Sequence, residues 1–207
     1  MFTYLADIAK DYDLKYYNQE TIIGGKNLGL SGYPQFNFPE EIGDAMINAG
    51  FNLVSLATNH AMDKGENAIR HSNDYWKSKE NVVKAGTYSS WDERNNIPTY
   101  EINGITYAFL NYTYGTNGIP LPSGKEYLVN VWSSFDGYKE QVKKDIDQVR
   151  DKVDVVMVAM HWGTEYQVGS YDSYQSAVAN YLASIGVDVI IGTHPHVVQP
   201  MEYIVTH

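Results

Sequence analysis

Three runs of apolar, largely β-branched residues dominate the hydrophobic pattern of the chain. They cover residues 51–57, 153–160 and 187–191. Uninterrupted apolar runs of about four to eight residues are typical of strands that are buried on both faces, as in a parallel sheet. Each run follows a predicted helix and ends in polar residues. The pattern therefore predicts an α/β fold in which these three strands are neighbours, with their carboxyl ends on the same side.

Residues with special backbone preferences mark where the predicted helices begin and end. Pro39 suits the first turn of a helix, and Asp136 is predicted to cap another. Gly50 and Gly186 are typical of positions just past a helix end. The predicted helices cover residues 1–10, 39–49, 65–79, 136–152 and 174–185.

The remaining pattern predicts further strands and two long loops. Asn103-Gly104 lies between two strand-like runs and is typical of a type I′ hairpin, so the sheet is predicted to be mixed. Segments 24–38 and 112–134 are rich in Gly and Pro and are predicted to be loops that could border a site. The further predicted strands cover residues 11–17, 81–85, 99–102, 105–111 and 197–205.

Four of the six histidines lie just beyond the carboxyl end of a predicted strand: His60, His161, His194 and His196. In open α/β sheets, chemistry collects at this edge. A single loop histidine is most often structural, whereas four at one edge favour a metal site, because imidazole combines with carboxylate and amide oxygens around transition metals. Glu20 follows the strand predicted at 11–17 and has the same location. His71, in mid-helix, is predicted to be structural, and Pro195 is predicted to bias His194 towards an extended conformation.

Composition narrows the classes of function. The 207 residues suffice for one α/β domain with a sizeable core. The net charge is −10, without a Lys/Arg cluster, so we expect no nucleic-acid partner. The lack of cysteine excludes disulfides and cysteine-ligated zinc. No apolar run is long enough to span a membrane and no signal peptide is visible, so a secreted or anchored protein of this sequence would carry its targeting segment outside this chain.

Four short motifs resemble, in order and spacing, those of the bacterial capsule-synthesis CapA (poly-γ-glutamate PgsA) family. The four motifs are Asn18-Gln19-Glu20, Asn59-His60-Ala61-Met62-Asp63-Lys64-Gly65, His161-Trp162-Gly163-Thr164-Glu165-Tyr166 and Gly192-Thr193-His194-Pro195-His196-Val197. In the first motif Gln19 stands where the family has leucine. One such motif would be a weak signal, but four in the same order along nearly the whole chain are specific.

The resemblance implies both a fold and a site. The CapA family is similar to the calcineurin-like metallophosphoesterases, which implies an α/β fold, a mixed-sheet αββα sandwich, with two divalent cations of Mn, Zn or Fe. Two cations about 3.5–4 Å apart activate a water and clamp an in-line displacement. The resemblance implies His60 as a general acid that Asp63 orients. The implied metal ligands are Glu20, which would take the place of the bridging carboxylate, Asn59, His161, His194 and His196, and the implied substrate-binding residues are Trp162, Glu165 and Tyr166.

The implied function is capsule synthesis or export, with a metal-dependent hydrolase or transferase site for a phosphoester or for the γ-amide of poly-γ-glutamate. One alternative is a non-catalytic surface protein that binds the anionic capsule polymer or assists its export. The other is a purely structural role, in which the polar residues at the strand ends cap loops. The expected partners are the polymer or phosphoester and membrane-bound capsule synthesis machinery. The expected location is extracellular or cell-surface, with a membrane anchor in the full-length protein.

Two features of the family are not found in the chain. The family begins with a strand that ends in a Gly-Asp motif, and it closes with a Gly-Asn-Phe segment after the last strand. Neither motif has a counterpart here. We therefore expect residues 1–207 to be a single domain of the family's type, trimmed at both ends.

Overall fold

Two β-sheets lie face to face, with helices on their outer sides. The computed structural model of the protein describes residues 3–205. The helices are α1 (Thr3–Ala9), α2 (Glu40–Asn48), α3 (Gly65–Lys77), α4 (Trp91–Asn95), α5 (Phe135–Val149) and α6 (Ser173–Ser184). The strands are β1 (Tyr16–Asn18), β2 (Leu53–Ser55), β3 (Val83–Ala85), β4 (Thr99–Ile102), β5 (Ile105–Thr113), β6 (Val155–His161) and β7 (Val189–Thr193). Single turns of 3₁₀ helix cover Lys26–Leu28, Glu126–Leu128 and Arg150–Lys152.

The two sheets differ in topology. The first has the order β1-β2-β3 and is parallel throughout. The second has the order β4-β5-β6-β7, in which β4 runs antiparallel to β5 and the other pairs are parallel. The register places Thr113, His161 and Thr193 side by side. Three neighbouring strands therefore end in polar side chains at one edge of the second sheet.

Alternation along β6 explains the order of the layers. Successive side chains of a strand point to opposite faces of its sheet. Val156 and Val158 belong to the core formed with α5 and α6. Met157 and Ala159 point the other way and pack with residues of β2 and β3. Because the outer face of β2 packs in turn on α3, the layers have the predicted αββα order.

One buried amide holds the two sheets together near their carboxyl ends. Asn111, on β5, is fully buried. Its Oδ1 accepts hydrogen bonds from the backbone N–H groups of Leu56 at 2.9 Å and Ala57 at 2.6 Å, and its Nδ2 donates to the carbonyl of Ala159 at 3.1 Å. The side chain thus supplies the acceptor for the N–H of Ala57, whereas the N–H of Leu56 also bonds to the carbonyl of Ala85 on β3. Asn111 fixes the segment after β2 next to β6.

Several local predictions are confirmed. Asn103 and Gly104 have φ angles of 51° and 80° and join β4 to β5, as a type I′ hairpin requires. Gly50 and Gly186 have φ angles of 96° and 95° just past the ends of α2 and α6. Among the described residues, no helix combines the length and apolar character needed to cross a bilayer.

The prediction that the three apolar strands are neighbours is wrong for one of them. β6 and β7 pair directly, but β2 belongs to the first sheet and pairs with β1 and β3. β2 and β6 are buried on both faces, but β7 is a partly exposed strand at the edge of its sheet, so the prediction of two buried faces is wrong for 187–191. An apolar run carries no signal for which sheet it joins.

Other element predictions are wrong in detail. Ser134, not Asp136, caps α5, because its side chain accepts a hydrogen bond from the N–H of Gly137 at 3.2 Å. Pro39 is the N-cap residue of α2 rather than its first helical residue. The strand predicted at 11–17 begins only at Tyr16 and extends to Asn18, and α4 has no predicted counterpart. Residues 197–205 form no strand: their side chains are largely exposed, so no burial offsets the ordering of that segment.

Candidate metal centre

His161 lies at the centre of the polar side chains at the strand ends. It falls on the face of β6 that looks toward the first sheet, and its side chain is fully buried. Its Nε2 donates a hydrogen bond to Asn59 Oδ1 at 2.9 Å, and its Nδ1 accepts one from Thr193 Oγ1 at 3.0 Å. Burial first, and then the neighbouring histidines, lower the pKa of His161 well below its usual range. The imidazole is therefore neutral, which is the form that binds a metal ion.

His194 and His196 lie in the turn after β7. Both have positive φ angles, 95° and 57°. A non-glycine residue in such a conformation carries strain of about 1–3 kcal/mol, and this kind of strain collects at functional sites. The prediction that Pro195 biases His194 towards an extended conformation is wrong, because contacts within the site override that local preference. The curled turn brings the His194 ring centroid within 4.9 Å of His161 and 5.9 Å of His196.

Two glutamates face these histidines. Glu20, just beyond β1, places Oε1 3.5 Å from His196 Nε2 and 3.9 Å from His161 Nε2. Glu165, in the loop after β6, places Oε1 3.9 Å from the Nε2 atoms of both His194 and His196. Burial raises the pKa of Glu20, and the nearby histidines only partly oppose that rise. The neighbouring histidines therefore do not fully compensate the cost of burying the charged carboxylate.

The spacing within this group suits a shared cation better than direct hydrogen bonds. A hydrogen bond needs a donor–acceptor separation of about 2.7–3.2 Å. Two atoms that bind one tetrahedral ion at about 2.1 Å each lie about 3.4 Å apart. The observed separations of 3.5 and 3.9 Å are closer to the second value. We call the following residues the strand-end cluster: Glu20, Asn59, His161, Glu165, His194 and His196.

The strand-end cluster contains two overlapping sets of metal-type donors. In each set, one ligand atom per residue lies within 4.8 Å of the others. His194 is common to both sets. The sets are Glu20, His161 and His194, and Glu165, His194 and His196.

One buried nitrogen of the cluster is left without a partner. His194 Nδ1 has no hydrogen bond among residues 3–205. An unpaired buried polar atom costs about 1–3 kcal/mol, so its presence calls for an explanation. A bound cation supplies one, because the imidazole, carboxylate and amide donors of the cluster form the nitrogen and oxygen set that Mn, Zn and Fe accept. The residues present therefore fit a divalent metal.

His60, although next to Asn59 in sequence, is held by a different partner. Its Nδ1 lies 2.7 Å from Asp63 Oδ2, which also accepts a hydrogen bond from the backbone N–H of Phe36 at 2.8 Å. The Phe36 ring packs edge-on against the imidazole, with centroids 4.6 Å apart. A carboxylate can only accept, so the Nδ1 proton belongs to the bond with Asp63. This arrangement leaves Nε2 as the atom that can exchange a proton.

Sequence reasoning missed residues that border the cluster. The Tyr114 ring is nearly parallel to that of His161, at 6.4 Å, and packs 4.8 Å from the His194 ring. Asn117 Oδ1 accepts a hydrogen bond from Asn59 Nδ2 at 3.2 Å. Tyr114 follows β5 directly, so its position just beyond a strand is the same signal that identified the histidines. Extending that criterion to every polar residue after a strand would have identified Tyr114. Asn117 lies further along the loop and carries no such signal.

Trp162 lies away from the cluster. It is the residue after His161, so the alternation of β6 turns it to the opposite face, into the core with α5 and α6. Its Nε1 lies against Gly192, where an added Cβ would come within 2.9 Å of the indole. The indole therefore packs beneath the end of β7, and its expected substrate contact stays a prediction.

The other predicted residues lie at the rim or outside. Tyr166 is exposed, and its ring stacks on His196 at 5.7 Å. His71 lies outside the cluster, with Nε2 2.7 Å from Glu40 Oε1, as a structural histidine should. His207, also predicted to lie outside, falls beyond the described residues.

Comparison with solved structures finds the same fold elsewhere. The chain is similar to the crystal structure of a hypothetical protein from Thermus thermophilus, with a TM-score of 0.54 and 21% sequence identity. The match covers 95% of this chain and 62% of that one. At this identity the likeness shows the fold alone, and it agrees with the αββα sandwich.

Comparison of the sequence finds relatives in two Bacillus species. The chain is 30% identical to the PGA biosynthesis protein CapA of Bacillus subtilis (strain 168), over 73% of this chain and 38% of that protein. It is also 30% identical to the capsule biosynthesis protein CapA of Bacillus anthracis, over 86% of this chain and 41% of that protein. The matched region thus spans about two fifths of each relative. The family described as bacterial capsule synthesis protein PGA_cap matches residues 1–207, and the chain belongs to that family.

Proposed function

We propose that this domain acts in capsule synthesis as a metal-dependent hydrolase or transferase, with two divalent cations in the strand-end cluster. Family membership supports the role in capsule synthesis. The observation that carries the catalytic part is the convergence of three histidines and two glutamates at facing distances of 3.5 to 3.9 Å. The unpartnered Nδ1 of His194 adds to it.

The cluster contains enough donors for two cations. Asn59, His161 and His194 are buried and would hold an inner cation. His196 is partly exposed and would hold an outer one. Glu20 would serve both, because its Oε1 faces His161 as well as His196. When bound, such cations supply Lewis-acid stabilisation and an activated water for an in-line displacement.

His60 would give a proton to the leaving group. Asp63 is buried and holds Nδ1, so the proton to be transferred sits at Nε2. Phe36 covers one edge of the ring and, through its backbone N–H, keeps the Asp63 carboxylate in place. A proton donor fixed in this way contributes about 10²–10⁴-fold to a reaction rate.

The substrate we propose is the anionic capsule polymer or a phosphoester. The net charge of −10 and the two glutamates of the cluster argue against loose electrostatic capture of a polyanion by the protein itself. Bound cations would attract such a polymer. The proposed setting is the cell surface, in contact with membrane-bound capsule synthesis machinery.

A metal titration tests the proposal. Chelator-treated protein is titrated with Mn²⁺, Zn²⁺ and Fe²⁺, and bound metal is counted by elemental analysis. We expect near-stoichiometric binding, followed by metal-dependent hydrolysis of a phosphodiester or a γ-glutamyl polymer. A protein that binds the polymer but no metal would instead be the non-catalytic surface protein.

A further inference from the structure

Glu165 faces two histidines of the strand-end cluster. We infer that Glu165 is a ligand of the outer cation and not a substrate contact, an inference that rests on the function proposed above. Its Oε1 lies 3.9 Å from His194 Nε2 and 3.9 Å from His196 Nε2. Both separations are too long for a hydrogen bond. The separation from His196, the histidine assigned to the outer cation, is close to the spacing of two ligands around one ion.

The number of donors at the outer position supports this role. His196 and the shared Glu20 supply two protein ligands, whereas a catalytic metal typically has three with one position open. Glu165 completes the set, and its carboxylate suits the same cations as the imidazole does. The side chains of Glu165 and His196 are 46% and 39% exposed, so the remaining position faces the solvent, where a substrate can enter.

The backbone holds Glu165 at this place. The N–H of the next residue, Tyr166, donates a hydrogen bond to the carbonyl of Pro195 at 2.8 Å. Tyr166 has a φ of 61°, and its ring stacks on His196. The loop after β6 is therefore tied to the turn after β7 on the side of the outer histidine. Ligand positions need this kind of support, since a displacement of about 1 Å weakens a metal site.

Replacement of Glu165 tests the inference with Mn²⁺ as the probe. Wild-type protein, Glu165→Gln and Glu165→Asp are stripped of metal and titrated with Mn²⁺ by calorimetry, with elemental analysis of the loaded proteins. We expect the affinity for one of two Mn²⁺ ions to fall at least about 10-fold in both variants. Glu165→Asp keeps the negative charge, so a loss of Mn²⁺ affinity in this variant reflects lost ligation and not lost charge. Glu140→Gln, which removes an exposed carboxylate from α5, should leave both affinities unchanged.

The outcomes separate this inference from the proposed function. If Glu165→Gln binds two Mn²⁺ ions as tightly as the wild type and has a raised KM for substrate, Glu165 is a substrate contact. That result would overturn the inference but leave the proposed function standing. A wild-type protein that binds no Mn²⁺ would overturn the proposed function and the inference together. Thermal unfolding of the metal-free variants checks that the fold is intact, and the half-exposed position of Glu165 predicts no change there.

Discussion

Histidine–carboxylate pairs in two regions of the molecule have different spacings. Between α2 and α3, His71 Nε2 lies 2.7 Å from Glu40 Oε1, an ordinary hydrogen bond. In the strand-end cluster the corresponding separations are 3.5 and 3.9 Å. The surface histidine and glutamate form a hydrogen bond with each other, whereas the histidines and glutamates of the cluster face a common point without hydrogen-bonding to one another. Spacing, more than residue type, therefore distinguishes a structural pair from a set of metal-type ligands.

His60, at the site itself, has the short spacing of the surface pair. It is adjacent to Asn59 in sequence, yet it contacts Asp63 at 2.7 Å. The geometry therefore sets His60 apart from the cluster histidines, in agreement with a proton donor that is not a metal ligand.

The largest expected effect is on turnover when His60 is removed. His60→Ala should lower turnover by about 10²–10⁴-fold, the usual contribution of general acid catalysis. Its metal content should stay at the wild-type level, because the imidazole is bonded to Asp63 and not to the cluster. Steady-state rates with a phosphodiester of high leaving-group pKa, alongside elemental analysis, provide the measurement.

A change of substrate supplies the control for His60. A leaving group of low pKa needs little protonation, so the loss in His60→Ala should shrink with such a substrate. Asp63→Asn should cause a similar but smaller loss, because the imidazole keeps its place with a weakened partner. Equal losses with both leaving groups would contradict the role of proton donor.

The second prediction concerns metal affinity. His194→Ala should weaken cation binding by more than about 100-fold, since even groups outside the ligand shell are worth about 10–100-fold. The physical reason is the loss of a ring shared by both donor sets. Calorimetric titration with Mn²⁺ measures the change. If the variant retained both wild-type affinities, His194 would not be a metal ligand. The wider spacing in the cluster would then not distinguish metal ligands from a structural pair.

The third prediction is a pH dependence of stability in the metal-free protein. Burial lowers the pKa of His161 well below its usual range, so the unfolded state binds that proton more readily than the folded state does. The stabilisation is complete above the unfolded pKa of about 6.5 and is lost as the pH falls from there towards the folded pKa. Glu20 acts in the opposite sense, because burial raises its pKa. Its contribution to the free energy of unfolding is fully present below a pH of about 4.5, the pKa in the unfolded state, and is lost as the pH rises from there towards the folded pKa.

Denaturant unfolding at pH 7 and at pH 5 measures this dependence. Replacement of His161 by Gln removes the titrating group, so the stability of His161→Gln should fall less between the two pH values than that of the wild type. A wild-type protein and a variant with parallel pH profiles would show that His161 is not the responsible group.

The smallest expected effect is at the surface pair. His71→Ala should cost at most about 1 kcal/mol, because an exposed ion pair contributes little, and the side chains of His71 and Glu40 are 41% and 47% exposed. Affinity for Mn²⁺ should be unchanged. Urea unfolding and a parallel titration measure both, and a loss of metal affinity in this variant would end the distinction between the two regions.

Much of the chain's local structure followed from its pattern, because local rules act over a few residues. Asn103-Gly104 needs two positive φ angles and produces a hairpin. The apolar runs at 153–160 and 187–191 correspond to β6 and β7. Where local rules compete, the predictions were wrong: Ser134 and Asp136 are both good caps, and the backbone that precedes α5 selects Ser134. A strand also needs a partner, which the pattern at 197–205 cannot supply.

The apolar pattern placed the cluster histidines and Glu20 just after strands, but only the tertiary structure decided what these residues contact. Asn59 follows a strand of the first sheet, and His161 ends a strand of the second, 102 positions later. Their 2.9 Å contact depends on how the sheets pack, which no local rule contains. Alternation along β6 turns Trp162 into the core. Glu165 instead comes to face His194 and His196 at 3.9 Å because the loop after β6 is tied to the turn after β7, a contact that only the tertiary structure supplies.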